Sequence, residues 1–210
     1  MSTTKLTDDE VVAVSLLRAA AWPIGIRTVD VTNVEEVGRA ALRGERSLLT
    51  RELAVVRDGR FELVAVVAAA FDEVVGAARR AVVAIGRRSQ PVALAAPFVS
   101  FHSTADPARW VVVASSPIGV AEIDALDEAD AVATLAELHA GCYRDGVPGA
   151  SSDDDLALFV GRFGGGHNDV LEVSIGSVRL ADVSVPTMPT VPVSWRDVPW
   201  VADLTSAWFA

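Results

Sequence analysis

Two residues stand at a spacing that could support nucleophilic chemistry. His139 lies near the end of an apolar helical stretch, and Cys142 follows three residues later, just past that end. An imidazole one helical turn from a thiol can take its proton and leave a thiolate. No third residue is evident to orient the ring, and a cysteine beside a helix cap serves equally well as a small, half-buried apolar group. The other histidines, His102 and His167, fall at no metal-ligand spacing. "RFGGGHND" (162–169) has the glycines of a phosphate cradle, but no Lys-Ser/Thr follows and the segment leads into a strand, so it reads as a mobile loop. Asp153, Asp154 and Asp155 lack the alternating spacing of a calcium loop and suit a helix N-terminus. No catalytic, cofactor or metal constellation emerges, and the expectation is a protein that is not an enzyme and carries no cofactor.

Binding chemistry is better represented. Arg43, Arg46, Arg51, Arg57 and Arg60 place five arginines in "RGERSLLTRELAVVRDGR", interleaved with Glu45, Glu52 and Asp58 and followed by Glu62. A helix followed by a small hairpin is also how a winged DNA reader looks. Here the acids keep the stretch near neutral, and only Ser47 and Thr50 could read base edges beside the arginines. Four large aromatics, Trp195, Trp200, Trp208 and Phe209, crowd the last 16 residues. They either fold back on the core or form an apolar patch that binds a protein partner.

The elements that must carry these residues follow from periodicity. Residues 8–22 have helical apolar spacing and stop at Pro23; Asn33 and Glu36 make a capping box for a helix over 34–43, ended by Gly44. "ERSLLTREL" (45–53) reads as a second short helix that puts Leu48, Leu49 and Leu53 toward a core and its arginines outward. "AVVRDGRF" is either a tight β-turn or the lead into a helix over 62–75, whose stripe is Leu63, Val66, Val67, Phe71, Val74 and Val75. Three β-rich runs follow at 79–88, 91–103 and 109–116, with connections too short for parallel crossovers, and 119–126 adds a fourth strand. Asp127 caps a helix over 128–140, ended by Gly141, and "DDDLALFVGRF" suggests another helix. Residues 170–180 return to strand, and 184–199 are proline-rich. The order predicts an α+β fold, a mostly antiparallel sheet flanked by helices, compatible with two similar halves at 1–118 and 119–210.

Bulk properties narrow the class. About half of the 210 residues are apolar and 22% are charged, which suits an ordered core. The net charge of −10 is uneven: residues 1–110 hold 14 Lys plus Arg against 13 Asp plus Glu, whereas residues 111–210 hold 4 against 15. A chain that acidic is poorly suited to neutralising phosphates, so no nucleic-acid partner is expected. No apolar run approaches the length of a membrane span, the N-terminus lacks the pattern of a signal peptide, and one cysteine excludes an internal disulfide framework. A cytoplasmic location without membrane association is the expectation.

A family resemblance joins these readings. "ALRGERSLLTREL" with Arg46-Ser47-Leu48 and Arg51 before Leu53, then Asp58-Gly59 before the apolar helix and a strand-rich middle, resembles the EspG family over residues 30–140. Glu52 stands where that pattern leads one to expect glycine. The composition, rich in Ala, Val, Arg and Asp and poor in Lys, suits an actinobacterium. The resemblance implies a single EspG-like domain over 1–210 with a central antiparallel sheet and quasi-twofold halves. It also implies a cytoplasmic chaperone that holds helical PE–PPE substrate pairs for type VII (ESX) secretion. The contrasting expectations are a winged-helix regulator built on residues 33–61, and a small-molecule-binding domain around His139 and Cys142.

Overall fold

A computed structural model describes residues 3–20, 25–87, 99–106, 108–144, 156–174, 177–182 and 196–198. The chain opens with strand β1 (Thr4–Thr7), which runs directly into helix α1 (Asp8–Leu17). Thr7 and Glu10 form a reciprocal capping box: the Thr7 hydroxyl accepts from the Glu10 amide, and the Glu10 carboxylate accepts from the Thr7 amide at 2.8 Å. Val11, Val12, Ala13 and Val14 are all buried, so the middle of α1 is covered on every side rather than along one stripe, while Leu16 and Leu17 at its end are exposed. It ends five residues before the expected limit, with the next turn passing through Ala19 at φ 48°.

Helix α2 (Val34–Thr50) is one continuous element where the sequence suggested two. Asn33 caps it, its side chain accepting from the amides of Glu35 and Glu36. Gly44 does not end the helix because it is the point where α1 crosses. A Cβ there would drive into the Asp9 carbonyl and the Ala13 side chain, so glycine buys close helix packing rather than a stop. The stretch after α2 resolves as a hairpin, β2 (Ala54–Arg57) and β3 (Arg60–Leu63), joined by Asp58 and Gly59. Both turn residues have positive φ (50° and 73°), the two-residue turn whose twist matches the strands. Helix α3 (Ala65–Val75) starts three residues later than expected, and its buried stripe is the narrower Val67, Phe71 and Val74.

Among the described residues nine strands, β1 included, build one sheet in which every neighbouring pair is antiparallel. β4 (Arg79–Arg87), β5 (Val99–Ser103), β6 (Arg109–Ser115) and β7 (Val120–Asp127) form the expected meander. Helix α4 (Glu128–Arg144) follows, with the Asp127 carboxylate accepting from the Asp130 amide at 2.8 Å; Gly141 lies inside this helix, not at its end. β8 (Leu156–Gly164) replaces the helix expected from "DDDLALFVGRF". Leu158 and Val160 face one core while Ala157 and Phe159 are buried on the other side. A strand covered on both faces is apolar at every position, and its pattern cannot be told from a buried helix. β9 (His167–Ser174), β10 (Ser177–Asp182) and β11 (Arg196–Val198) complete the order β1-β7-β6-β5-β4-β8-β9-β10-β11.

The fold is α+β, and its topology repeats. A helix followed by four strands occurs twice, α3 with β4–β7 and α4 with β8–β11. The two meanders run outward from the central antiparallel pair β4–β8, which is in register from Arg79↔Gly164 to Arg87↔Leu156. One sheet face packs on α4 through Phe101, Trp110, Val112, Leu135, Leu158 and Val160. The other packs on α1, α2 and α3 through Leu6, Val14, Leu48, Phe71, Val111 and Ile123. Among the described residues, no helix is long and apolar enough to cross a membrane.

Candidate functional site

The structure disperses the residues that could do chemistry. His139 and Cys142 lie within the backbone of α4, three apart, and their side chains fall outside the described ones, as does that of His167 at the start of β9. Asp153, Asp154 and Asp155 lie outside the described residues, and so do Trp195, Trp200, Trp208 and Phe209. The glycine run is a correction. It is the tight turn of the β8–β9 hairpin, with Gly164, Gly165 and Gly166 all at positive φ and Gly164 pressed on the Ala78 carbonyl. No helix begins there to aim amides at a phosphate. Among the described residues, no three His, Cys, Asp or Glu side chains lie close enough together to hold a metal ion.

His102 is the exception that sequence reasoning did not pair. It sits on β5 two residues from Ser100, so both point to the same side, and its Nε2 lies 2.9 Å from the Ser100 hydroxyl. Both residues are buried beneath α3. Burial first, and then the positive charge of Arg80, push the His102 pKa down to about 3; the Val74 backbone opposes this, although Nδ1 makes no hydrogen bond of good geometry. The ring is neutral at ordinary pH. The hydroxyl beside it is sealed from solvent, so the pair orders the core and does not offer a nucleophile to a substrate.

The arginine-rich stretch is tied to α1 by the buried Glu10 and the partly exposed Asp9. Glu10 has a fully buried side chain that accepts from the Thr7 amide, from the Ser47 hydroxyl at 2.6 Å and from Arg51 Nη1 at 2.6 Å. Arg51 Nη2 also donates to the Lys5 carbonyl at 2.9 Å, covering a backbone group on the outer strand β1. Arg43 grips Asp9 with two hydrogen bonds, at 2.7 and 2.9 Å, and reaches Glu36 at 3.1 Å; these bonds raise its pKa further. Arg46, Arg57 and Arg60 are exposed and alternate with Glu45, Asp58 and Glu62. The helix-then-hairpin order of a winged reader is present, yet the stretch assembles no continuous basic face.

What α2 and the hairpin do present is apolar surface. On the side of α2 away from α1, Val34 is 86%, Leu42 57% and Leu49 38% exposed, and Val56 on β2 is 60% exposed. This exposed apolar face is the candidate functional site among the described residues. Sequence reading missed it because Leu48, Leu49 and Leu53 were assigned together to a core, and only Leu48 is fully buried. The fold and this surface define an α+β protein with a duplicated helix-and-meander plan. No family model matches the chain, and no curated protein matches its sequence.

Proposed function

We propose that this protein is a cytoplasmic chaperone or adaptor of the EspG kind, which binds helical PE–PPE-like type VII secretion substrates and performs no catalysis. The observation that carries the reading is the helix and four-stranded meander occurring twice about the β4–β8 pair. A repeat built on an antiparallel sheet is what the resemblance in "ERSLLTREL" and "DGRF" implies, although the repeating units run over 65–127 and 128–198 rather than over the expected halves 1–118 and 119–210. A second feature supports it: Glu52, where the resemblance calls for glycine, occupies a left-handed position at φ 60° just after α2. The mechanism is the shielding of apolar helical surface on a substrate until export, with charged groups fixing register.

The test is co-expression of the full chain with a PE–PPE-like pair from the same genome, followed by size-exclusion chromatography. The expected result is a stable complex of chaperone and pair, with the pair insoluble when expressed alone. A pair that stays soluble alone and elutes separately from this protein overturns the reading.

A further inference from the structure

We infer that Arg80 is an anion-binding residue at the rim of the sheet and that its ligand is a carboxylate; the site is separate from the chaperone reading and does not depend on it. Ala81 and Val83 of β4 point into the α4 core, so Arg80 and Val82 point to the opposite face of the sheet. The antiparallel register sets Arg80 between His102 of β5 and Phe163 of β8. The same row continues to Val111 on β6 and to Asn168 on β9. His102 is sealed, whereas Asn168 and the glycine turn beside Phe163 are exposed. The row therefore runs from core to water, and Arg80, partly buried, sits where it changes.

The charge of Arg80 is unanswered within the described residues. Arg43, Arg51 and Arg162 each meet a carboxylate, and Arg46, Arg57 and Arg60 stand in water. Arg80 does neither: it is partly buried, and among the described residues it makes no ion pair and no hydrogen bond. No residue of its row is acidic, and His102 stays neutral, so the guanidinium is the single charge there. Burial lowers the Arg80 pKa, with no acid to oppose the shift. A cation drawn partly out of water is costly until an anion reaches it.

The contact that Arg80 does make leaves the bonds of a ligand open. Its guanidinium carbon lies over the Phe163 ring, 5.4 Å from the centre. A ring contact holds the group in place while its in-plane N–H donors remain for an acceptor. A carboxylate matches that fork with two parallel hydrogen bonds. One cation among neutral neighbours balances one negative charge. A phosphate dianion would need a second cation, and the chain as a whole carries −10. The ligand is therefore a monovalent carboxylate, carried by a small free acid or by a side chain of a partner.

The test titrates benzoate into the full chain while the Nε–H signals of Arg80 and of the exposed Arg46 are followed by NMR, with the Arg80 signal assigned by its loss in Arg80→Lys. A saturable shift is expected at Arg80 and not at Arg46. Benzamide, the same ring without the charge, and inorganic phosphate are each expected to bind about tenfold more weakly or less. In Arg80→Met the binding is expected to vanish, read at the backbone amides of Phe163 and Asn168. If that variant does not fold, the contrast between Arg80 and Arg46 in the unaltered chain decides. N-acetylglutamate α-amide separates the two sources: binding at least as tight as that of benzoate assigns a partner side chain, weaker binding assigns a free acid, and either supports the site. No saturable shift at Arg80, an equal shift at Arg46, benzamide or phosphate binding as tightly as benzoate, or binding retained in Arg80→Met overturns the inference.

Discussion

The two faces of the sheet are buried by different means. On the α4 face, Phe101, Trp110, Leu135, Leu158 and Val160 meet in an apolar core that one helix closes. On the opposite face three helices share the work, and charged groups of α1 are part of the packing. Asp8 accepts from the amides of Arg27 and Thr28 and from the Thr28 hydroxyl, at 2.6 to 2.8 Å, and Glu10 holds Ser47 and Arg51. The first face gains area; the second gains a fixed arrangement of segments distant in sequence. A buried carboxylate specifies geometry because every alternative placement leaves it unsatisfied.

The largest expected effects are those that should not distinguish the faces. Phe71→Ala, on the inner side of α3, and Leu135→Ala, in α4, each remove a fully buried side chain. Each is expected to cost about 3–5 kcal/mol, read from urea unfolding at neutral pH. Glu10→Ala is the change that should separate them. It strands the Ser47 hydroxyl and removes the partner of Arg51, and because Arg51 is 41% exposed its charge can turn to water. A loss of about 2–4 kcal/mol is expected. Combined with Arg51→Met it should cost less than the sum of the two single changes. Additive losses would show that the acids merely tolerate burial.

Acid sharpens the contrast next. The pKa of His102 is about 3 in the folded protein, against 6.5 for an ordinary histidine. As pH falls below 6.5 the unfolded chain takes up a proton that folded His102 refuses until about pH 3. Its contribution to stability is therefore complete above the unfolded value and is lost progressively through that window. At pH 5 the loss is expected to be about 2 kcal/mol. His102→Gln, which keeps an amide for Ser100 and does not titrate, should flatten the pH dependence by that amount. An unchanged acid profile in this variant would show that His102 is not the group responsible.

How much of this was legible varied with the range of the interaction. Local signals worked well: Asn33 at a helix start, Asp58-Gly59 in a hairpin turn, short links between antiparallel strands, and Asp127 before α4. The α+β class followed from their order. Signals that depend on what lies across the fold did not work. Gly44 looked like a helix end because nothing in the local sequence announces that α1 crosses there. β8 looked helical because burial on both faces erased its alternation. Ser47 and Arg51 looked like surface groups, yet their partner is Glu10, 37 and 41 residues away. At the candidate site the leucines of α2 were visible in sequence, but which of them faces water depends on where α1 lies. The aromatics at Trp195, Trp200, Trp208 and Phe209 lie outside the described residues, so their part in binding rests on the sequence alone.

The smallest expected effect tests whether the polar face keeps strain at its rim. α1 and α2 both end in the same way. After α1 the Ala20 amide bonds the Ser15 carbonyl and the Ala19 amide bonds that of Leu16; after α2 the Leu53 amide bonds the Leu48 carbonyl and the Glu52 amide bonds that of Leu49. This paired closure needs a left-handed residue, normally glycine, and here Ala19 and Glu52 supply it at φ 48° and 60°. Because glycine adopts this conformation without a Cβ clash, Glu52→Gly is expected to stabilise the protein by about 0.5–1 kcal/mol despite the looser unfolded chain. Glu52 is exposed and makes no ion pair with a described residue, so the substitution removes no contact that would mask the gain. A rise in the urea midpoint with an unchanged slope would locate the strain in the backbone of the α2 end. A fall would mean that the Glu52 side chain contributes more than its conformation costs, and the end of α2 would then belong with the buried acids as part of the polar network.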